Sequence, residues 1–456
     1  MRQDGSTLQP SGIRNGRSTS GEERVPGLLR LFSAETAMAT AVRLEGQSLE
    51  LGRGAAALGE VQDPRMSRRH ARIDFDGRSF RVTDLGSQNG TFVDGEPVPA
   101  GAPREAQRLI RMGDSLFVPC ADVRPLEERG VELVGGFVRG PALQGMLEEV
   151  ARAAQLGFSL HIHGESGTGK EGVARTFHER GPLGAGPFVA VNCAAIPQGI
   201  AERLLFGARR GAYSGAEADA KGFLQAADGG TLFLDEVVEL DLEVQAKLLR
   251  VLETREVLPL GASRPMKVDL QVCSASNRDL RALVTSGRLR EDLYFRIGRP
   301  EVALPPLRQR PEEIPLLLQR EVRQVAPELG LHVSLVEACL LRPWPGNVRE
   351  LLVEVRSAVQ AALMQGARRV EARHLSPSAG TAFGSVMPPP PPSGEREASR
   401  RAPSRASPLD DGERARIEEA LRQQGGNVAA TARALGMHRT QLRRLLERYA
   451  ITAGRE

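Results

Sequence analysis

Cysteine is sparse in this 456-residue chain: Cys120, Cys193, Cys273 and Cys339 stand far apart, with no CxxC pair and no histidine at ligand spacing. That argues against a zinc cluster or a disulfide framework and for buried thiols in a reducing compartment. No run approaches the roughly 18 apolar residues of a membrane span, and the first residues carry no apolar signal-peptide core. The expectation is a cytoplasmic protein with no membrane partner. Lysine is nearly absent too: of 61 basic residues only Lys170, Lys221, Lys247 and Lys267 are lysines, all in the middle of the chain. Where arginine is so preferred, each lysine asks why arginine would not serve. An excess of one charge is also missing, the net +4 being too small to imply nucleic acid by itself. Its distribution is more telling, because between Gly412 and Glu456 nine arginines stand against five glutamates.

What is present reads as several domains, since a chain of this length exceeds a single core. Residues 1–25, rich in Gly, Ser and Arg, are expected to be disordered. From about 28 to 125 short alternating segments (Ser48–Leu51, Ala71–Phe75, Phe80–Val82, Gly90–Val93) are broken by Asp76-Gly77 and Asp94-Gly95 turn pairs, which predicts an all-β sandwich. From 132 to 376 the period changes. Apolar strands at 159–163, 188–191, 231–234 and 270–274 alternate with helical segments, predicting an α/β unit with a parallel sheet covered on both faces. Residues 377–408, with five consecutive prolines from Pro388, are a linker. Helical periodicity resumes over 410–452, an all-α unit.

Gly164-Glu165-Ser166-Gly167-Thr168-Gly169-Lys170 lies between a strand and a helix, as a phosphate-binding loop requires. Glycines let backbone N–H groups curl around phosphate oxygens, and Lys170 is a compact charge that arginine's planar fork does not copy. Glu171 stands where the general pattern has a magnesium-binding hydroxyl. Downstream, the buried run Thr231-Leu232-Phe233-Leu234 ends in Asp235-Glu236. That predicts Asp235 holding Mg²⁺ through water and Glu236 activating the attacking water, hence ATP and Mg²⁺ as cofactors.

With these motifs in place the central region resembles the AAA+ activators of sigma-54 RNA polymerase, in whose phosphate loop an acid after the lysine is usual. The resemblance implies ATP hydrolysis and further roles. Asn192 corresponds to a switch asparagine that holds the catalytic glutamate, and Asn277 to the first sensor. Arg290 and Arg296 correspond to fingers inserted into a neighbouring subunit, and Arg349, in Trp344-Pro345-Gly346-Asn347-Val348-Arg349, to the second sensor. Fingers supplied in trans imply a ring, by analogy a hexamer. Gly211-Ala212-Tyr213-Ser214-Gly215-Ala216 resembles the sigma-54-contacting loop, with Tyr for Phe and Ser for Thr. Val238 stands where the family generally has glycine.

Two flanking resemblances complete the expectation. Leu51-Gly52-Arg53, Ser67-Arg68-Arg69-His70 and Asp84-Leu85-Gly86-Ser87-Gln88-Asn89-Gly90-Thr91 resemble forkhead-associated (FHA) domains. This implies phosphothreonine recognition: Arg53 and Ser67 on the phosphate, Arg68 nearby, Asn89 on the peptide backbone, His70 as a loop buttress. A protein phosphorylated on threonine, such as a Ser/Thr kinase, is then the expected partner. Gly425 to Leu445 resembles the Fis-type helix-turn-helix, with Ala430, Ala434 and Leu435 inward and His438, Arg439, Thr440, Gln441, Arg443 and Arg444 offered to double-stranded DNA. Two other readings stay open here: a DNA-bound phosphopeptide adaptor with a passive ATPase scaffold, and an AAA+ regulator of a different client.

Overall fold

The computed structural model describes residues 24–59, 63–197, 199–214, 216–382, 411–424, 427–435 and 446. Two compact units emerge, residues 1–389 and 390–456.

The first unit begins with ten strands: β1 (Gly27–Ser33), β2 (Thr36–Arg43), β3 (Ser48–Leu51), β4 (Ala71–Phe75), β5 (Phe80–Asp84), β6 (Thr91–Val93), β7 (Glu96–Pro97), β8 (Arg104–Ala106), β9 (Ile110–Met112) and β10 (Ser115–Cys120). They form two antiparallel sheets, ordered β2-β1-β10-β9-β6-β7 and β3-β4-β5-β8, the expected sandwich. Asp94 and Gly95 both adopt left-handed backbone (φ 52° and 86°), the requirement of the tight turn that joins β6 to β7. The Asp94 carboxylate then accepts the N–H groups of Gln107, Arg108 and Leu109 at 2.8–3.0 Å, fixing the turn to the segment before β9.

The parallel sheet follows. Its strands run in the order Phe188–Asn192, Thr231–Asp235, Gln271–Ser276, Leu160–His163 and Glu301–Ala303. Along Thr231–Asp235 the side chains alternate between two cores. Leu232 and Leu234 join Leu248 and Val272 on one face, while Phe233 joins Phe177 and Ile162 on the other. Burial on both faces explains why the strand reads as a continuous apolar run. Val238 also has a place: it is 6% exposed in the first of these cores, so a branched apolar side chain fits there.

Beyond the sheet, helices Ile314–Val325, Val333–Leu341 and Asn347–Met364 form a lid. Its apolar core does not end at the lid. Leu29, Leu31, Leu109 and Leu116 of the sandwich belong to the same cluster as Leu317, Leu318, Val336 and Leu340 of the lid. Every residue of β1 is buried, Leu28 pointing into the sandwich and Leu29 and Leu31 into the lid. Polar contacts frame the seam: an Arg111–Glu337 ion pair of 2.9 Å, and Arg108 Nη2 donating to the Leu340 carbonyl at 3.3 Å.

In the second unit, helices Asp411–Gln423 and Val428–Ala434 enclose a small core of Ile417, Leu421 and Ala432. The inward set differs from expectation. Ala434 is exposed, while Thr431 and Ala432 are buried. The Asn427 side chain accepts the Ala430 N–H at 3.3 Å and caps the helix start, and packing of Ala432 against Ile417 and Leu421 of the preceding helix turns that face inward. The expected DNA-contacting residues His438, Arg439, Thr440, Gln441, Arg443 and Arg444 lie outside the described residues, as does Gly215.

Each of Leu29 and Leu31 contributes on the order of 1.5–3 kcal/mol by leaving water. Leu31→Ala should therefore destabilise the chain by about 2–5 kcal/mol in urea unfolding. A change under about 0.5 kcal/mol would mean that this face of the sandwich meets solvent.

Candidate functional site

The carboxyl ends of the parallel strands converge on a cleft of about 590 Å³. Gly167 and Gly169 take left-handed backbone (φ 76° and 105°), which lets the 164–169 segment wrap a phosphate before the helix Lys170–Arg180 begins. Lys170 is only 7% exposed and donates to the Gly164 carbonyl at 3.1 Å and to Glu236 Oε1 at 3.2 Å. The lysine therefore joins the loop to the acid pair. Glu236 itself sits in left-handed backbone (φ 51°), strained for a residue with a Cβ and held by its surroundings. Its neighbour Asp235 ends the buried strand with Oδ1 buried and without a hydrogen-bond partner among the described residues. Desolvation raises the Asp235 pKa above the ordinary carboxylate value, against the lowering effect of Lys170. An orphaned, desolvated carboxylate oxygen facing a phosphate cradle fits a hard divalent cation.

The remaining predicted residues divide into those that meet in the cleft and those that do not. Asn192 and Arg349 line it. Asn192 is engaged locally, its Oδ1 accepting the Ala194 N–H at 3.1 Å, and makes no hydrogen bond to Glu236. Asn277 approaches Glu236 by its backbone, N–H to Oε2 at a long 3.4 Å. Arg349 donates to Ser166 Oγ at 3.1 Å. Glu171 also lines the cleft, in an exposed pair with Arg175 at 2.7 Å. Arg290 and Arg296 lie on the exterior and do not line their own chain's cleft. Arg290 pairs with Asp292 at 2.7 Å and Arg296 donates to the Leu252 carbonyl at 2.8 Å, beside the exposed ring of Phe295.

Several lining residues escaped the sequence reading. Phe137 stands across from Gly169 and Gly172, where a Cβ would meet its ring at 3.2 Å, so those glycines admit an aromatic wall. Arg310, fully buried, pairs with Glu313 at 3.0 Å and donates to the Thr168 carbonyl at 3.2 Å. Their signal was the charged run Arg310-Pro311-Glu312-Glu313, which reads as surface until the fold buries it. Burial pushes Glu312 up to about 7.

Beyond the helix Ala201–Phe206, Gly211 N–H donates to the Ala216 carbonyl at 2.9 Å, and Ala216 N–H to the Tyr213 carbonyl at 3.0 Å. The Tyr213 ring lies under the Arg203 guanidinium, 5.0 Å from its centroid. In the sandwich, the three distant motifs meet at one end. Arg53 N–H donates to the Ser67 carbonyl at 2.8 Å, Gln88 N–H to Ser67 Oγ at 3.0 Å, and Asn89 Nδ2 to the Arg65 carbonyl at 2.6 Å. Arg53, Arg68 and Asn89 are exposed there. His70 is the buttress: buried, it accepts the Ser67 N–H at Nδ1 (3.0 Å) and lies 3.2 Å from the Gly90 carbonyl at Nε2. A nitrogen that accepts on one side fixes the neutral tautomer that donates on the other, and burial lowers the His70 pKa accordingly.

Comparison with known proteins yields four matches along the chain. These are the FHA domain over 49–113, the sigma-54 interaction domain over 137–303, the AAA+ ATPase lid domain over 308–382 and the Fis family of bacterial regulatory proteins over 408–449. The chain is 37% identical over 355 residues to the anaerobic nitric oxide reductase transcription regulator NorR of Aeromonas salmonicida, covering 76% of this chain and 68% of that one. The chain belongs to the sigma-54-dependent activator family. It is also 40% identical over 329 residues to the nitric oxide reductase transcription regulator NorR2 of Cupriavidus necator, covering 69% of this chain. It spans 63% of the NorR2 length, less than two thirds. Among solved structures, NtrX from Brucella abortus is similar with a TM-score of 0.51 and 30% identity, over 72% of this chain and 71% of that one. Within this activator family fold, the sandwich, AAA+ unit with lid, and Fis-type helices follow in chain order.

A raised carboxylate pKa means that the charged form of Asp235 costs stability at neutral pH. Asp235→Asn should raise the melting temperature of the ligand-free chain near pH 7. The gain should shrink as the pH falls into the ordinary carboxylate range, where the wild-type group is protonated in both states. A lower melting temperature at pH 7 would contradict the desolvated reading of that carboxylate.

Proposed function

We propose that this activator binds DNA through its Fis-type helices and hydrolyses ATP to drive open-complex formation by sigma-54 RNA polymerase, gated by phosphothreonine recognition at the FHA domain. The observation that carries the ATPase reading is the juxtaposition of Lys170, Glu236 and the orphaned oxygen of Asp235 in one phosphate-wrapping cleft. Lys170 would move from Glu236 to the β and γ phosphates, and the released Glu236 would orient the attacking water. Mg²⁺ at Asp235 would supply neutralisation of phosphate charge. Arg290, at the N-terminal cap of the helix Glu291–Ile297, and Arg296, on that helix beside exposed Phe295, both face outward and are suited to a neighbouring subunit's cleft and hence to a ring, a hexamer by analogy. Tyr213 and Ser214, in the segment that follows helix Ala201–Phe206, would carry the stroke to sigma-54. A passive scaffold would need neither a strained Glu236 nor a desolvated Asp235, which weighs against the adaptor reading.

Gating rests on two observations. Arg53, Ser67 and Asn89 gather at one end of the sandwich, as a phosphate and its peptide would require. The sandwich also shares its outer face with the lid, giving a partner bound there a physical route to the ATPase. Phe92, two residues beyond Gly90, stacks on Arg111 at 3.8 Å, and Arg111 pairs with Glu337 of the lid.

The decisive experiment is strand opening by sigma-54 holoenzyme on a promoter template, with the full chain and ATP. The wild type should open the promoter and Glu236→Ala should not. Hydrolysis without opening would remove sigma-54 as the client. For the gate, Arg53→Ala should abolish the dependence of promoter output on a threonine kinase in cells. Unchanged dependence would sink phosphothreonine reading at that end of the sandwich.

A further inference from the structure

An acid stands inside the phosphate loop. A carboxylate beside a polyphosphate is repulsive on its own, so Glu165 needs an explanation. It is not aimed at the nucleotide cavity's cations. Arg308 grips it with both terminal nitrogens, Nη1 to Oε2 at 2.9 Å and Nη2 to Oε1 at 2.7 Å. Asn347 Nδ2 adds a third bond to Oε2 at 3.1 Å. A fork on a carboxylate is the geometry that cancels charge and fixes direction together. These bonds, Arg308's first, hold the Glu165 pKa below its ordinary value and keep it ionised.

Asn347 spends its whole amide on this junction. It is fully buried, in left-handed backbone (φ 52°), at the start of the last lid helix. Its Oδ1 accepts the Leu307 N–H at 2.8 Å, and its Nδ2 also donates to the Ser166 carbonyl at 3.1 Å. Leu307 and Arg308 belong to the passage from sheet to lid. Two residues after Asn347, Arg349 reaches Ser166 Oγ, and Gly167 lies so close to Gly346 that a Cβ would meet its carbonyl at 2.2 Å. Three chain segments therefore meet at one amide and one carboxylate.

We propose that Glu165, Arg308 and Asn347 are positioning residues that tie the phosphate loop to the lid and set where Arg349 stands, with Arg308 cancelling the charge that Glu165 brings toward the phosphates. This rests on the reading of the cleft as an ATP site. A collapse of that reading would appear separately, as a wild-type chain that neither binds nor hydrolyses ATP.

The sign of a double substitution tests the clamp. In the full-length chain, Arg308→Gln leaves the half-exposed carboxylate uncompensated and should raise the KM for ATP about three- to fivefold, with a parallel loss of affinity for a fluorescent ATP analogue. Adding Glu165→Gln removes the offending charge and should return KM to within about twofold of wild type, while kcat stays low because the lid has lost its tie. Asn347→Asp supplies an independent case. It keeps the acceptor for Leu307 but turns an oxygen on Glu165, so KM should rise and Glu165→Gln should again relieve it. A merely structural role would lower the melting temperature and kcat without any reversal of KM. The proposal is overturned if Arg308→Gln keeps a wild-type KM, or if the double variant binds nucleotide no better than Arg308→Gln alone.

Discussion

The lid is held from two sides, and most of the first unit follows from that. On one side its apolar core is continuous with the outer face of the FHA sandwich through Leu29, Leu31, Leu109 and Leu116. On the other, Asn347, Arg349 and Arg310 bond to the phosphate loop at Ser166 and Thr168. The two attachments differ in kind. The first is non-directional burial, worth several kcal/mol in sum and tolerant of small shifts. The second is a set of oriented bonds, each worth roughly 0.5–1.5 kcal/mol, or more where charged, and lost when geometry changes. A lid built this way can stay attached to the sandwich while its bonds to the loop respond to what the loop holds.

Three of the seven described residues with left-handed backbone and a Cβ lie where these elements meet; the others, Ala34, Glu35, Asp94 and Arg255, sit in strand turns and at a helix end. Trp344 and Asn347 flank the turn that leads into the last lid helix, and Glu236 closes the acid pair. Trp344 is fully buried, and its Nε1 donates to the Cys339 carbonyl at 2.7 Å, so packing and a hydrogen bond enforce the unfavourable φ. Such positions persist only where the surroundings over-determine them. Here they sit where nucleotide chemistry would demand fixed geometry.

The motifs were legible because each encodes a local shape. Glycines at 167 and 169 declare left-handed backbone, and Asp235-Glu236 after an apolar run declares a buried strand with a functional end. Asp94-Gly95 declares a turn. What stayed hidden depends on contacts between segments far apart in sequence. β1 shows no alternation, because the lid covers the face that an isolated sandwich would leave wet. Arg310 and Glu313 look like surface charges, yet each is about 1% exposed and they satisfy one another. Glu165 reads as a phosphate-loop residue, although its partners are Arg308 and Asn347, more than 140 positions away. In the second unit the inward face is set by packing of Ala432 against Ile417 and Leu421 of the preceding helix, which the spacing of alanines did not reveal.

Apart from the orphaned Asp235 oxygen, the polar groups that the proposed reaction would use are satisfied locally in this state. Lys170 holds Glu236, Arg290 holds Asp292, and Asn192 caps its own following turn. Magnitudes decide which of these partnerships can be exchanged. Arg290–Asp292 is solvent-exposed on both sides, and such pairs are worth about 0–1 kcal/mol, so a neighbouring subunit's nucleotide would displace Asp292 easily. Lys170 is buried and would be costly to leave unpaired. Only a ligand bringing concentrated negative charge into the same cleft could replace Glu236 as its partner, and a polyphosphate does so. The buried exchange would thus select for nucleotide and release Glu236, while the exposed exchange would respond to assembly. Hydrolysis would then require both, because neither swap alone brings a free Glu236 and an arginine to the same phosphate.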